Sequence, residues 1–233
     1  MVKRNYLHKI ITIAIDGYSS TGKSTIAKAL AEYFDYIYVD TGAMYRAVSL
    51  YFLRNNIDIH SVNNVNQALD EIHLDFKFID GLQTIHLNQE AVEKHIRSHR
   101  INNIVSPVAK ISAVRRKMVA LQREMASGKS VVMDGRDIGT VVFPNADLKF
   151  FMTSALETRV KRRFEELESK GIETTLREVE KNLSERDHID SNREDSPLKQ
   201  ATDAILIDNT NLSKEEQLDI LINHVLNHKN TKK

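Results

Sequence analysis

The residues from Gly17 to Ser24 read GYSSTGKS and fit the phosphate-binding loop pattern G-x-x-x-x-G-K-[ST] at every fixed position. The apolar run Ile10–Ile15 before them predicts a buried strand, and apolar spacing between Ile26 and Phe34 predicts a helix after them. The two glycines permit a backbone path on which successive N–H groups point at phosphate oxygens. The helix directs its positive N-terminus at the same anion. Strand, loop and helix together predict a nucleotide site rather than a Gly/Ser-rich turn.

Two side chains of this loop have separate expected roles. Lys23 places a compact positive charge on the β- and γ-phosphates, and the Ser24 hydroxyl is a ligand for Mg²⁺. We expect the nucleotide to contact the whole loop and the residue after it: Gly17, Tyr18, Ser19, Ser20, Thr21, Gly22, Lys23, Ser24 and Thr25.

Composition narrows the class of protein. The chain has 233 residues, a formal net charge of +1 and no cysteine. The lack of cysteine excludes a disulfide scaffold and a thiol nucleophile, and it suits a reducing compartment. The charge does not indicate nucleic acid or membrane as a partner. No segment approaches the roughly 20 apolar residues of a membrane span, and the run after Lys9 is too short for a signal peptide. We expect a soluble, cytoplasmic protein.

The order of the elements predicts the fold class. A second strand, Tyr36–Val39, follows the first helix, and three further core strands are predicted at Val131–Met133, Leu148–Met152 and Ala204–Ile207. Helical segments separate these strands, which is typical of an α/β fold with a parallel sheet. Ligands of such sheets bind beyond the carboxyl ends of the strands.

A hairpin interrupts this pattern. Apolar and polar residues alternate from Leu74 to Phe78 and again from Ile85 to Leu87, on either side of the turn Asp80-Gly81. This arrangement predicts an antiparallel hairpin inside an inserted subdomain, residues 62–103.

Sequence signals also predict helix ends. Ser106-Pro107 predicts a helix start with Ser106 as the cap. Capping boxes at Ser154-x-x-Glu157 and Ser213-x-x-Glu216 predict the starts of a basic helix and of the last helix. A further helix is predicted from about Leu176 to Arg193, and the polar tail from Asn227 is predicted to be disordered.

Arginines are the candidate anion-binding groups, because guanidinium is planar, permanently charged and bidentate. Arg46 and Arg136 come just after predicted strands. Two helical stripes carry the others: Arg159, Arg162 and Arg163 on one, and Arg186, Asp190 and Arg193 on the other. The alternative is a solvated helix surface on which neighbouring acidic residues neutralise the arginines.

Asp134 and Asp137 follow the third core strand. Either could order Mg²⁺ through water or hydrogen-bond a substrate, and the alternative role is a helix or turn cap. The sequence offers no clear base to deprotonate a substrate hydroxyl. A nucleoside monophosphate needs none, because its phosphate is largely dianionic at neutral pH. Phosphoryl transfer to a phosphate is therefore favoured over transfer to a sugar.

Four segments in order resemble the bacterial cytidylate kinases: Asp16–Ser24, VDTGAMYR at 39–46, MDGRDIGT at 133–140, and Glu185–Asp187 with Asn192-Arg193 and Ser196–Leu198. The resemblance implies a P-loop NTPase core with a five-stranded parallel sheet flanked by helices, a monophosphate-binding insert and a short helical lid. It also implies phosphoryl transfer from Mg·ATP to CMP and dCMP, in pyrimidine nucleotide metabolism.

By position, the resemblance assigns the CMP site to Thr41, Arg46, Ser106, Arg115, Asp134, Arg136, Asp137, Arg186, Asp190 and Arg193. Of these, Ser106, Arg115 and Asp137 would read the cytosine edge, and Arg186 and Asp190 would hold the ribose. Arg162 and Asn209 would lie beside ATP. The catalytic group would comprise Lys23, Arg136, Arg159, Arg163 and Arg193.

The resemblance also sets the expected domain boundaries. The core would comprise residues 1–61 and 104–226, with the lid at about 157–172, the insert at 62–103 and the tail at 227–233. We expect a monomer that binds ATP and CMP or dCMP, but neither nucleic acid nor membrane. Two alternatives stay open: a kinase preferring UMP or AMP, and a regulatory P-loop ATPase.

Overall fold

The computed structural model describes residues 10–79 and 82–231. Its strands are β1 Thr12–Gly17, β2 Ile37–Asp40, β3 Leu74–Ile79, β4 Leu82–Leu87, β5 Glu90–Ala91, β6 Val131–Gly135, β7 Leu148–Thr153 and β8 Ile205–Asp208. Its α-helices are α1 Lys23–Phe34, α2 Thr41–Arg54, α3 Val62–Glu71, α4 His99–Ala109, α5 Ser112–Met125, α6 Leu156–Ser169, α7 Leu176–Asn192 and α8 Lys214–Thr231. One π-helical turn spans Ile138–Val142.

The central sheet is parallel, as predicted, with the strand order β2-β6-β1-β7-β8. The register pairs Asp16 of β1 with Gly135 of β6, and Asp40 of β2 with Asp134 of β6. The carboxyl ends of three adjacent strands therefore meet at one edge, where a ligand of an α/β sheet is expected.

The inner strands of the sheet are buried on both faces. Side chains alternate along β1, so that Ile13 and Ile15 pack with α1 and α8 while Ala14 joins the cluster on the opposite face. That second cluster contains residues of α2, α4 and α5 and extends to Val65 and Ile85. The small sheet β3-β4-β5 is antiparallel and contains the predicted hairpin. Its turn at residues 80–81 lies outside the described residues.

The predicted helix start at Ser106-Pro107 is wrong. Helix α4 begins earlier, where the Ser98 side chain accepts a hydrogen bond from the Ile101 N–H, and Pro107 lies in its last turn. Pro107 has no N–H to donate within the helix, and the burial of an apolar face that includes Val105 outweighs this loss. Helix α4 also runs across residue 103, so the chain has no break at the predicted end of the insert.

The predicted capping box at Ser154 is also wrong. Ala155 is the N-cap of α6 without a side-chain cap, and the Ser154 hydroxyl is buried without a hydrogen-bond partner among the described residues. A capping box does open α7, between Thr175 and Glu178. The box predicted at Ser213–Glu216 is confirmed by reciprocal bonds of 2.7 and 3.1 Å.

The last helix continues to Thr231, so predicted disorder is wrong for residues 227–231. The Lys229 ammonium lies 4.6 Å from the ring centre of Phe34 and 5.2 Å from that of Tyr36, which anchors these turns. In the described residues, no helix combines the length and the apolar character needed to cross a bilayer.

Candidate active site

The phosphate loop follows the innermost strand. Gly17 has φ +148°, and a Cβ there would lie 2.0 Å from the Met152 carbonyl oxygen, so only glycine fits against β7. The Lys23 ammonium donates to the carbonyl oxygen of Tyr18 (2.6 Å) and approaches the Thr21 hydroxyl (3.4 Å). Burial lowers the pKa of Lys23, and the charge of Arg136 acts in the same direction. A phosphate bound at this loop would favour the positive form of the lysine.

Three hydroxyl groups converge on Asp134. Ser24 donates to one carboxylate oxygen (2.9 Å), Tyr38 to the other (2.8 Å), and Thr41 to the backbone carbonyl (2.7 Å). Burial raises the pKa of Asp134, and the charge of Asp40 adds to this. A hydroxyl beside a carboxylate is an oxygen-only donor set that fits Mg²⁺, which takes its other ligands from water and phosphate. Within residues 10–79 and 82–231, no cluster of three or more histidine, aspartate or glutamate ligands occurs.

Asp137 lies between two buried guanidinium groups. The Arg115 guanidinium donates to one oxygen of its carboxylate, and Arg193 lies 3.5 Å from the other. Arg115 also lies over the Tyr45 ring at 5.4 Å and donates to the carbonyl oxygen of Ala109 (3.2 Å). The side chains of these ion pairs are only 2–4% exposed, so solvent ions screen their charges little.

Arg136 connects the phosphate loop with α7. Its Nε donates to Asp190 (2.9 Å), and a terminal nitrogen donates to the Ser19 hydroxyl (2.8 Å). The Nε of Arg186 is buried and has no hydrogen-bond partner in the described part of the chain. Burial lowers the pKa of Arg186 to about 10, and the charge of Arg136 contributes. These arginines form a cationic surface, and an anionic ligand would reduce the repulsion between their charges.

Arg46 lies further along the same surface. It donates to the side-chain oxygen of Asn102 (2.6 Å) and to the carbonyl oxygen of Ile96 (3.3 Å). Burial lowers the pKa of Arg46 to about 9, and the charges of Arg186, Arg97 and Arg163 add to this effect. Its orientation is therefore fixed, although its charge is only partly compensated.

The three arginines of α6 have different surroundings. Arg159 lies behind the phosphate loop, where it contacts Asp187 and lies 5.3 Å from the ring centre of Tyr18. Arg162 donates to the side-chain and backbone oxygens of Asn209 (3.0 and 2.9 Å), and Asn209 donates to the Thr21 carbonyl oxygen (2.7 Å). Arg163 donates to Glu166 (2.6 Å) and lines the cleft.

All these groups surround one cleft of about 670 Å³. The predicted site residues on its wall are Ser20, Gly22, Lys23, Ser24, Thr25, Thr41, Arg46, Ser106, Arg115, Asp134, Arg136, Asp137, Arg162, Arg163, Arg186, Asp190 and Arg193. Those behind the wall are Gly17, Tyr18, Ser19, Thr21, Arg159 and Asn209. Ten lysines and arginines line the cleft, and they include Arg97 and Lys214. Among the described residues, only six acidic ones do so: Asp40, Asp134, Asp137, Glu165, Glu166 and Asp190.

Several partners in this site are absent from the sequence-based prediction. Asn102 orients Arg46, Tyr38 holds Asp134, and Asp187 joins Arg159 to the loop by accepting the Ser19 N–H (3.0 Å). Tyr38 lies in a predicted strand and Asp187 in a quoted motif, so the residues were visible in the sequence but their partners were not.

Comparison with known proteins finds matches to one family along most of the chain. The family model described as "Cytidylate kinase" matches residues 13–227. A cytidylate kinase of Flavobacterium johnsoniae is 56% identical over 214 residues, covering 90% of this chain and 93% of that protein. One of Bacteroides fragilis (strain YCH46) is 49% identical over 220 residues, covering 92% and 96%.

A crystal structure of an uncharacterized protein from Eubacterium ventriosum shares the fold, with a TM-score of 0.50 at 14% identity, covering 93% of this chain and 98% of that one. The sequence matches extend across the phosphate loop, the cationic wall and the helices that carry them. The chain belongs to the cytidylate kinase family.

Proposed function

We propose that this chain transfers the γ-phosphoryl group of ATP to CMP and dCMP, giving CDP or dCDP and ADP. One observation carries the proposal. The cleft that contains the phosphate loop also contains four arginines from outside that loop: Arg193, which is buried, and Arg46, Arg136 and Arg186, which are half-buried. Two phosphorylated ligands can therefore face each other across it.

The donor side would hold Mg·ATP. Ser24 and Asp134 are the residues that would hold Mg²⁺, and the ion supplies charge neutralisation on the triphosphate when it is bound. Lys23 lies at the start of α1 and would bind the β- and γ-phosphates. Arg162 and Asn209, which are hydrogen-bonded to each other, would lie beside the adenine.

The acceptor side would bind the monophosphate through Arg46, Arg186 and Arg193. Arg136, which is hydrogen-bonded to the loop through Ser19, would lie between the two phosphates and stabilise the transferred group. No proton acceptor is required, because the attacking oxygen of a dianionic phosphate carries no proton. The protein contributes alignment and charge.

The Arg115–Asp137 pair would read the base. A cytosine donates its amino group to a carboxylate and accepts from an arginine at O2 and N3. Uracil places a carbonyl oxygen where cytosine has the amino group, so its oxygen would face the carboxylate of Asp137. The Ser106 hydroxyl, buried on the same wall, is a further candidate contact to the base.

A coupled ADP-release assay tests the proposal, with CMP, dCMP, UMP, AMP and no acceptor compared at saturating Mg·ATP. We expect turnover with CMP and dCMP and at least tenfold lower kcat/KM with UMP, since the carboxylate disfavours the uracil carbonyl oxygen. Adenine has an amino group, so AMP tests instead whether the base site is fitted to a pyrimidine. Equal rates with UMP or AMP would contradict the assignment of the base site. ATP hydrolysis that no monophosphate supports but RNA or DNA stimulates would instead indicate a regulatory ATPase.

A further inference from the structure

A buried carboxylate outside the cleft wall connects the two halves of the site. Asp16 is the residue before Gly17 at the end of β1 and is 4% exposed. One of its oxygens accepts the N–H of Ile138 (2.8 Å), and the other accepts the N–H of Gly139 (2.7 Å). Both oxygens are thus directed at backbone donors 122 and 123 residues away in the chain.

These two N–H groups open the π-helical turn that begins directly after Asp137. The first N–H groups of a helical turn have no partner within it, so Asp16 satisfies them from a neighbouring strand. Asp137 does not cap this turn with its own side chain, which instead contacts Arg115 and lies near Arg193. The position of the Asp137 backbone therefore depends on Asp16.

The packing around the turn leaves little freedom. A Cβ on Gly139 would lie 3.1 Å from Cδ of Lys149 and 3.4 Å from a carboxylate oxygen of Asp16. Burial raises the pKa of Asp16 to about 7, although the two N–H groups act in the opposite direction. Large pKa shifts of this kind are concentrated at functional sites.

We propose that Asp16 is a positioning residue for base selection: by holding the turn after Asp137 it sets where that carboxylate stands relative to the phosphate loop. The inference rests on the proposed function, since it assigns Asp16 a part in choosing cytosine over uracil. Asp16 itself touches neither substrate. The competing explanation is that Asp16 only stabilises the fold.

A double-mutant cycle separates the two explanations. Asp16→Asn keeps the shape but replaces one acceptor with a donor that faces a backbone N–H. We expect the CMP-to-UMP ratio of kcat/KM to fall about tenfold, as for the loss of one hydrogen bond to a charged group, with KM for ATP nearly unchanged. In an Asp137→Asn background, Asp16→Asn should change that ratio less than about twofold, because its effect passes through Asp137.

Asp147→Asn is the matched control. Asp147 also accepts a backbone N–H of β1, that of Thr12 (3.1 Å), but at the opposite end of the strand. It should alter thermal stability without altering the CMP-to-UMP ratio. If Asp16→Asn does not fold, Gly139→Ala enters the same cycle, because a Cβ there presses on Lys149 and on the Asp16 carboxylate that holds the turn.

Two results would overturn the inference: an equal loss for CMP and UMP, or the same loss of ratio in both backgrounds. A wild-type enzyme without a preference for CMP would overturn the proposed function and, with it, the inference. If the wild-type enzyme prefers CMP and both Asp16→Asn and Gly139→Ala keep that preference, the inference is overturned while the proposed function stands.

Discussion

Replacing Asp137 by asparagine tests how the base is selected. Hydrogen bonds to charged groups contribute about 1.5–3 kcal/mol. At 1.4 kcal/mol per factor of ten, this corresponds to roughly 10- to 150-fold in kcat/KM. An amide also offers an N–H₂ donor that suits the uracil oxygen, so Asp137→Asn should lower the CMP-to-UMP ratio of kcat/KM at least tenfold, partly through a gain for UMP.

The same change should affect stability. The carboxylate compensates two guanidinium groups, those of Arg115 and Arg193, and breaking a buried pair costs about 3–5 kcal/mol. Asparagine keeps one oxygen acceptor in place, so we expect a loss of stability at the lower end of this range. A loss of about 3 kcal/mol lowers the melting temperature by roughly 6–12 °C for a chain of this size.

The assay measures kcat/KM for CMP and UMP by ADP release, at a temperature well below both melting temperatures. Asp203→Asn is the control, because Asp203 forms an ion pair with Lys149 (2.8 Å) away from the cleft. Its CMP-to-UMP ratio should equal that of the wild type. A lower melting temperature for Asp137→Asn with an unchanged ratio would show that Asp137 is only a structural ion-pair partner, and would refute the reasoning.

Three further predictions address the phosphates and the ion pairs. Lys23→Ala should lower kcat well over tenfold, because one charge contact on the transferring group is worth about 3 kcal/mol. The control is Lys28→Ala on the exposed face of α1, which should leave kcat unchanged. Asn102→Ala should raise KM for CMP about tenfold while changing kcat less, because the Asn102 side chain holds Arg46 in place. Steady-state kinetics at saturating ATP measure both constants. Burial acts to raise the pKa of Asp190, but the neighbouring arginines hold it below its ordinary value. Its contribution to stability is therefore complete at neutral pH and is lost as pH falls below about 4, so Asp190→Asn should flatten the acid side of a plot of melting temperature against pH.

Local sequence patterns predicted the elements well where a single physical signal dominated. The phosphate loop, the five core strands and the hairpin have a distinctive period or a fixed glycine spacing. The box at Ser213–Glu216 forms with both reciprocal hydrogen bonds. At Ser154, by contrast, the helix begins one residue later, and the Ser154 hydroxyl is buried without a hydrogen-bond partner among the described residues.

The site was predicted less completely because its contacts join distant parts of the chain. The arginines after strands and on the two helical stripes indicated a cationic cleft, and all of them except Arg159 line it. The partners that orient those arginines lie far away in sequence, such as Asn102 for Arg46 and Asp190 for Arg136. Only the strand order and the packing of α4 and α7 bring them together, so no local pattern reveals the pairing.

The excess of cations around the cleft has a consequence for the lifetime of the protein in a cell. Ten positive side chains against six negative ones repel one another in the ligand-free state, and phosphate groups remove that repulsion. A nucleotide at 100 times its dissociation constant would add about 2.7 kcal/mol to the free energy of unfolding. Proteases and chaperones act mainly on chains that open. We therefore expect starvation for nucleotides to shorten the half-life of the protein, so that its abundance follows the supply of its own substrates.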